Sequence, residues 1–312
     1  MRVLLTGGAG MLGSTLVDGW AQQRPGGRTV AQVDDVAGDH DQLVVRALLE
    51  RERPEAVVHA AAKVGGIAAK LAEPATYLLE NLLLDTSVIG ACIEAGVPDL
   101  LYVGTAAVYP DRYERPFVES DALSAPLEGA NEGYALAKGA AARLCAFASQ
   151  QYGRNYRAAV PSNLYGPHDH FGQSAHLVAA AIGKIHRAHL AGDPTVPVWG
   201  DGTARREFTY VCDLAGWLVD HLDSISEWPE LMNVGKGEDH SVLDYYTAAL
   251  AIVGYDCELV TDPSKPSGMH QKLMDSTLAS GLGWNPSTSL EDGMRESYQA
   301  YLASLQHTES TV

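Results

Sequence analysis

The chain of 312 residues carries 39 acidic against 22 basic side chains, a formal charge of −17, with 46% hydrophobic and 20% charged residues. This is a globular composition, long enough for one large α/β unit or for one such unit with a smaller appended domain. The acidic balance argues against a nucleic-acid or anionic-membrane partner, so a phosphate-bearing ligand must be met by locally placed Lys, Arg or backbone donors. Nothing before the first apolar run reads as a signal peptide, and no run nears the roughly 20 residues of a spanning helix, so a cytoplasmic location is expected. Cys92, Cys145, Cys212 and Cys257 are scattered singly, without metal or redox spacing, as reduced buried thiols would be.

Met1 to Thr6 is a short apolar run, followed by Gly7-Gly8-Ala9-Gly10-Met11-Leu12-Gly13 and by helical periodicity from Ser14 to Gln23. Strand, glycine turn and helix in that order make a dinucleotide fingerprint: glycines let the backbone approach a pyrophosphate, and the helix N-terminus offers it unpaired N–H groups. Gly7, Gly10, Met11, Leu12 and Gly13 are therefore candidate cofactor contacts. The β-rich run Arg28 to Val33 ends in Asp34-Asp35. An acid placed there accepts from the adenosine ribose 2′-hydroxyl and repels a 2′-phosphate, which points Asp34 toward NAD(H); a pair of aspartates after a strand is also ordinary turn chemistry.

A helix is expected over Asp41 to Arg53, a buried strand over Ala56 to Ala62, a loop at Lys63 to Ile67, a long helix from Glu73 to Ala95 and a fourth strand at Leu100 to Gly104. Such alternation means crossover connections and a parallel sheet, an α/β doubly wound arrangement that holds ligands at the carboxyl ends of its strands. Thr105 directly follows the fourth strand. It is placed either to donate to a substrate carbonyl or to cap a turn.

The stretch Asn131 to Lys138 sets Tyr134 and Lys138 four residues apart on one helical face. A phenol with a free pKa of about 10 becomes a usable acid or base near neutral pH when an ammonium favours its ionised form. The pair thus reads as one acid/base unit, although Tyr-x3-Lys alone is common and takes its weight from the other motifs. The helix runs to about Tyr152, a fifth strand is expected over Tyr156 to Pro161, and Ser162 to Asp169 follows as Ser-Asn-Leu-Tyr-Gly-Pro-His-Asp.

The glycine turn, Thr105, Tyr134-x3-Lys138 and Asn163-Leu-Tyr-Gly together resemble the extended short-chain dehydrogenase/reductases that act on nucleotide sugars. Within that superfamily the chain resembles the GDP-L-fucose synthase (GDP-4-keto-6-deoxy-D-mannose 3,5-epimerase/4-reductase) family. The blocks that carry the likeness are Ala60 to Ile67, Asn131 to Lys138, Gln151 to Arg157, Asn163 to Asp169, Val198 to Thr203 with Arg206-Glu-Phe208, Asn233 to Gly235, Ser264 to Pro266, and Lys272 to Asp275. They span nearly the whole chain. The resemblance implies a Rossmann unit over residues 1–170 and a smaller nucleotide-sugar lobe over 171–312 that may send the chain back to the first unit. It implies a homodimer paired through the helices around Asn81 and Tyr134. By the same likeness Thr105 stands at the catalytic serine, Tyr134 protonates the sugar C4 oxygen, Lys138 holds the nicotinamide ribose, and Leu164 lies in the cofactor-binding block. His176 matches the histidine that works with a cysteine in epimerisation, Asn163 the sugar pocket, and Lys184, Trp199 and Arg206 the nucleotide-diphosphate grip.

Three departures matter. The catalytic cysteine of the family is Ala107 here, which sets 3,5-epimerisation against ketone reduction. The 2′-phosphate arginines are replaced by Ala9 and Gln32 with Asp34 following, which sets NAD(H) against the NADP(H) that the family implies. Lys265-Pro-Ser-Gly268 and Gln271 stand where the family has Lys-Pro-Asp-Gly and a later arginine. Tyr109 and His170 are the neighbouring side chains that can replace the thiol. Other readings are an NAD-retaining epimerase or dehydratase, weakened because Ala106 and Ala107 fill the place of an acidic residue, and a dinucleotide sensor, which has no use for a tuned phenol. His186 and His189, with His176 upstream, lack an acidic or thiol partner at ligand spacing, so no metal is expected. The remaining expected elements are helices over Ala175 to Ala191, Asp213 to Leu222, Ser241 to Val253 and Leu290 to Leu305, strands at Thr195 to Trp199, Glu207 to Val211 and Leu231 to Val234, and a tail from His307.

Overall fold

The computed structural model describes residues 1–23, 30–33, 41–172, 175–265 and 268–309. A six-stranded parallel sheet has the order β2-β1-β3-β4-β5-β9, made of β1 (Val3–Thr6), β2 (Val30–Val33), β3 (Ala56–His59), β4 (Asp99–Val103), β5 (Asn155–Pro161) and β9 (Leu231–Val234). Every residue of β1 and β3 is buried, as the unbroken apolar runs require of strands covered on both faces. Arg28, Asp34 and Asp35, read around the second strand, lie outside the described residues.

One face of the sheet is covered by α1 (Met11–Gln23) and α7 (Val211–His221), with Leu16, Trp20, Trp217 and Trp228 in the core. The other is covered by α2 (Gln42–Glu52), α4 (Pro74–Ala95) and α5 (Glu132–Tyr152), through Leu49, Val88, Cys92 and Cys145. Asp41 starts α2 by accepting from the Leu43 amide at 2.9 Å, and Pro74 opens α4, where a missing N–H costs nothing. The short α3 (Ile67–Ala72) lies between β3 and α4.

The second layer of the chain begins after β5. A small sheet orders β10 (Asp239–Ser241), β8 (Arg205–Tyr210) and β12 (Gln271–Lys272), with β6 (Asn163–Tyr165) paired to β8, and β7 (Thr195–Trp199) pairs with β11 (Glu258–Asp262). Helices α6 (Leu177–Ala191), α8 (Val242–Val253) and α10 (Leu290–Glu309) close a separate core around Ile182, Val196, Phe208, Tyr245 and Met294. The five-residue α9 (Thr277–Gly281) contacts β9. The chain crosses back: α7 and β9 belong to the main sheet although they follow the first strands of the lobe.

Several boundaries differ from the sequence reading. The strand expected from Glu207 begins at Arg205 and stops at Tyr210, because Val211 already starts a helix. The expected tail from His307 is instead helical to Glu309. The strands β6, β10, β11 and β12 and the helices α3 and α9 were not read, being short or polar. Among the described residues no helix is long and apolar enough to cross a membrane.

Candidate active site

The glycine turn is built by steric necessity. Gly7 has φ +75°, and a Cβ there would sit 2.6 Å from the Ala61 amide nitrogen; one on Gly13 would lie 2.0 Å from the Gly7 carbonyl oxygen. The Gly10 amide donates to the Gly7 carbonyl at 3.1 Å, and Ser14 N makes the first turn's bond to Gly10 O at 2.8 Å. The amides of Met11, Leu12 and Gly13 therefore precede that bond at the head of α1, whose first turn holds no carboxylate. This cradle of bare backbone fits a dinucleotide pyrophosphate. The acid read for the ribose, Asp34, lies outside the described residues, and Leu164 packs at the edge of the first core.

At the carboxyl end of β4, Thr105 accepts from the Ala107 amide at 3.2 Å, capping the turn Ala106–Val108. The same hydroxyl acts on the Tyr134 phenol in favour of its ionised form, so Thr105 is both the turn cap and a neighbour of the tyrosine. Tyr134 and Lys138 are buried on the inner face of α5. The electrostatics depart from the expected ones: burial, then the charge of Asp85, push the Tyr134 phenol well above its ordinary range, and the Thr105 hydroxyl only partly opposes them. The ammonium meant to favour the phenolate is drawn elsewhere. Lys138 Nζ donates to Asp85 Oδ1 at 3.4 Å and lies 4.2 Å over the Tyr102 ring. Asp85 also receives the Tyr102 hydroxyl at 2.7 Å and pairs with His59 Nε2 at 3.0 Å, while His59 Nδ1 meets Thr6 Oγ1 at 2.6 Å.

Beside Tyr134 lies a group of cations that the sequence reading captured only in Arg206. Lys70 Nζ sits 4.4 Å over the Tyr134 ring and donates to Asn131 Oδ1 at 3.0 Å. Asn131 donates to Glu128 at 2.7 Å, and Lys272 reaches the same carboxylate at 3.4 Å. Arg206 acts on Glu128 and Lys272 through its charge. Three cations face one carboxylate here, in a chain of charge −17. Burial and then the neighbouring Lys272 bring the Lys70 ammonium down to about 8, and burial and then Lys70 bring His176 down to about 4. His176 is thus a neutral imidazole at pH 7. A signal for Lys70 was available, since it follows the Val64-Gly-Gly-Ile67 loop at the ligand-binding end of β3.

Lys184 and Trp199 come together farther along the lobe: Lys184 Nζ donates to Pro197 O and Tyr246 OH, each at 3.1 Å, and lies 5.7 Å over the half-exposed Trp199 ring. Asn163 donates to Glu207 O at 3.2 Å on β6. Ala107 belongs to one apolar cluster with Tyr77, Tyr134 and Ala135, so a methyl group stands where the family has a thiol. Tyr109, one candidate substitute for the thiol, is buried with its hydroxyl donated to Asn233 and its ring stacked on Phe117. His186 bonds Tyr298 at 3.0 Å and His189 stacks on Tyr255.

The model of the NAD dependent epimerase/dehydratase family matches residues 3–235. The chain is 39% identical over 302 residues to a GDP-L-fucose synthase of Azorhizobium caulinodans, covering 96% of each. Among solved structures it is similar to a GDP-6-OMe-4-keto-L-xylo-heptose reductase from Campylobacter jejuni, with TM-score 0.88, 26% identity and 97% and 98% of the two chains covered. A GDP-mannoheptose C4 reductase from the same organism, with NADP bound, superposes with TM-score 0.85 and 27% identity over 96% and 98% of the chains.

Proposed function

The chain belongs to the NAD-dependent epimerase/dehydratase family, in its GDP-L-fucose synthase branch, and on that premise we propose that it reduces the C4 ketone of a GDP-4-keto sugar. The observation that carries this reading is Tyr134 with the Thr105 hydroxyl acting on its phenol, the Lys70 ammonium 4.4 Å over its ring, and Lys272 and Arg206 gathered on Glu128 nearby. Bound nicotinamide supplies the hydride. Tyr134 gives its proton to the C4 oxygen and Thr105 donates to the same oxygen. Lys138 holds the nicotinamide ribose, and the amides of Met11, Leu12 and Gly13 hold the pyrophosphate. Arg206 with Lys272 meets the diphosphate of the sugar nucleotide, Trp199 with Lys184 takes the base, and Asn163 borders the sugar. Residues 1–170 hold the cofactor and 171–312 the sugar nucleotide, with α7 and β9 returning to the first unit.

The same site is poor for inversion at C3 and C5. Removing a proton from one face and returning it on the other takes two acid/base groups; Ala107 offers a methyl and Tyr109 is engaged, which leaves His176, with His170 as the other side chain in question. Reduction without thiol-dependent epimerisation is the reading these residues support, and both solved neighbours named above are reductases. On the cofactor side, Ala9 and Asp34 favour NAD(H), although one neighbour holds NADP. The test is product analysis after supplying GDP-4-keto-6-deoxymannose, or a GDP-4-keto-heptose, with each reduced cofactor. The reading expects net cofactor oxidation and an alcohol with unchanged C3 and C5. A tightly held dinucleotide with no net oxidation of added cofactor would replace it with internal hydride recycling.

A further inference from the structure

Lys70 is brought to the catalytic tyrosine by packing. It lies in the last turn of the short α3, which starts directly after Gly66. Gly65 has no Cβ, and the Tyr77 hydroxyl of α4 fills the room this leaves, while Ala69 packs against the cluster of Tyr77, Ala107 and Tyr134. The next side chain, Lys70, is therefore half-buried, with its Nζ 4.4 Å over the face of the Tyr134 ring, where the ring quadrupole attracts a cation.

An ammonium has three N–H donors, and among the described residues one of these is used, by Asn131 Oδ1 at 3.0 Å. That acceptor is a neutral amide held in place from behind. Asn131 Nδ2 donates to Glu128 Oε2 at 2.7 Å, and the same carboxylate takes the Met269 amide at 3.3 Å. The ion pair on Glu128 is made by Lys272, at 3.4 Å, and not by Lys70. With its ordinary value brought down to about 8, Lys70 is still mainly an ammonium at pH 7. A half-buried charge with two donors open keeps them for water or for a ligand oxygen, since leaving them dry and unpaired is costly.

A sugar whose C4 oxygen meets the Tyr134 phenol brings the carbons flanking C4 alongside that ring. Lys70 stands over the ring face, so it meets a substituent of a flanking carbon and not the C4 oxygen itself. In a 4-keto-6-deoxy sugar one flanking carbon bears the C6 methyl and the other the C3 hydroxyl. Against the methyl the ammonium would give up water without a new bond; against the hydroxyl it gains a charge-assisted one. We propose that Lys70 is a substrate-contacting residue that donates to the C3 hydroxyl, and that the chain accordingly takes GDP-4-keto sugars bearing that hydroxyl and rejects their 3-deoxy counterparts. The assignment rests on the GDP-4-keto-sugar reading above. It differs from the roles of Arg206 and Lys272, which meet the diphosphate, and a site built to bond a hydroxyl discriminates strongly against a ligand that lacks it.

The test is calorimetric binding to the full chain loaded with oxidised NAD, which has no hydride to give, so that the keto sugars bind without turnover. The probes are GDP-4-keto-6-deoxymannose, GDP-4-keto-3,6-dideoxymannose and GDP. Wild type is expected to bind the 3-deoxy sugar roughly 10- to 100-fold more weakly than its hydroxylated counterpart, the worth of one hydrogen bond to a charged group. Lys70→Met is expected to bring the hydroxylated sugar down to the level of the 3-deoxy one, and to change the affinities for the 3-deoxy sugar and for GDP less than about threefold. Lys70→Gln is the second variant, and reads the same gap if methionine on α3 impairs folding. Equal affinity of wild type for the two sugars would overturn the proposal, as would a gap that survives in a folded variant. A loss of GDP affinity as large as the loss for the sugar would also overturn it, by making Lys70 a diphosphate contact. Failure of wild type to oxidise NADH with any GDP-4-keto sugar, with the binding gap as expected, would strike the reductase reading and leave the Lys70 contact standing.

Discussion

Tyr134 carries the proposed proton transfer through one oxygen atom, so Tyr134→Phe removes the chemistry and leaves the pocket. The loss in kcat is expected to be on the order of 10²- to 10⁴-fold with cofactor affinity unchanged; a variant keeping more than about a third of the wild-type rate would exclude the phenol as the proton donor. Lys138→Met is expected to weaken cofactor binding as well as turnover, and it leaves Asp85 buried without its cation, a further cost in stability. Fluorescence titration with the reduced dinucleotide separates the two effects. That Tyr134 and Lys138 share one buried face was legible because they lie one helical turn apart on the same element. The Asp85–His59–Thr6 chain was not, since its members come from α4, β3 and β1, and only the folded sheet brings Asp85 and Thr6 to 3.0 and 2.6 Å from His59. Lys70 was overlooked for a similar reason: its contact with the Tyr134 ring joins α3 to α5, and neither stretch alone announces it.

At the scale of elements, the long apolar runs of β1, β3 and β4 and the periodic helices were readable because burial on both faces, or along one stripe, leaves a pattern in the residues themselves. The strands β10 and β12 leave none: they are three and two residues long and join β8 by backbone pairing. What they enclose has a measurable consequence. Glu207 on β8 is 2% exposed and accepts from the amides of Gly237 at 2.7 Å and Met274 at 3.0 Å, which ties the loop after β9 to β12. Burial outweighs these bonds and raises its carboxyl to about 7. A carboxyl raised in the folded state contributes stability fully below its unfolded value, near 4.5, and loses it as pH rises through about 7. Glu207→Gln cannot titrate. Relative to wild type it should therefore gain on the order of 3 kcal/mol between acid and neutral pH. Urea unfolding of both proteins at several pH values between those limits checks this, and parallel stability curves would show that Glu207 does not titrate with folding.

For the whole molecule, two properties follow from residues that no single element explains. The first is the cofactor: with Ala9 and Gln32 at the places of the phosphate-binding arginines and Asp34 after them, NADH is expected to serve at least as well as NADPH. A tenfold preference for NADPH in kcat/KM, about 1.4 kcal/mol of transition-state binding, would contradict it. The second is assembly. The inner faces of α4 and α5 pack on the sheet through Leu84, Val88, Cys92, Ala141 and Cys145, and this uses up one stripe of each helix. Their outer faces nevertheless expose Leu79 and Leu83 on α4 and Leu136 and Phe147 on α5, each between 44% and 58% accessible. A chain of this charge keeps isolated apolar side chains in water easily, but four on two adjoining helices form a surface that a second copy would cover with the same four. A homodimer through α4 and α5 is the expected state, with light scattering on the eluting protein giving about twice the chain mass of 33.3 kDa. Leu83→Arg combined with Phe147→Arg should return a monomer that keeps the folded spectrum. Because α5 carries Tyr134 and Lys138 and α4 carries Asp85, that monomer should also lose turnover more than cofactor affinity. A wild-type chain that elutes as a monomer at micromolar concentration would refute the pairing, and a double variant that stays dimeric would move the interface to another face.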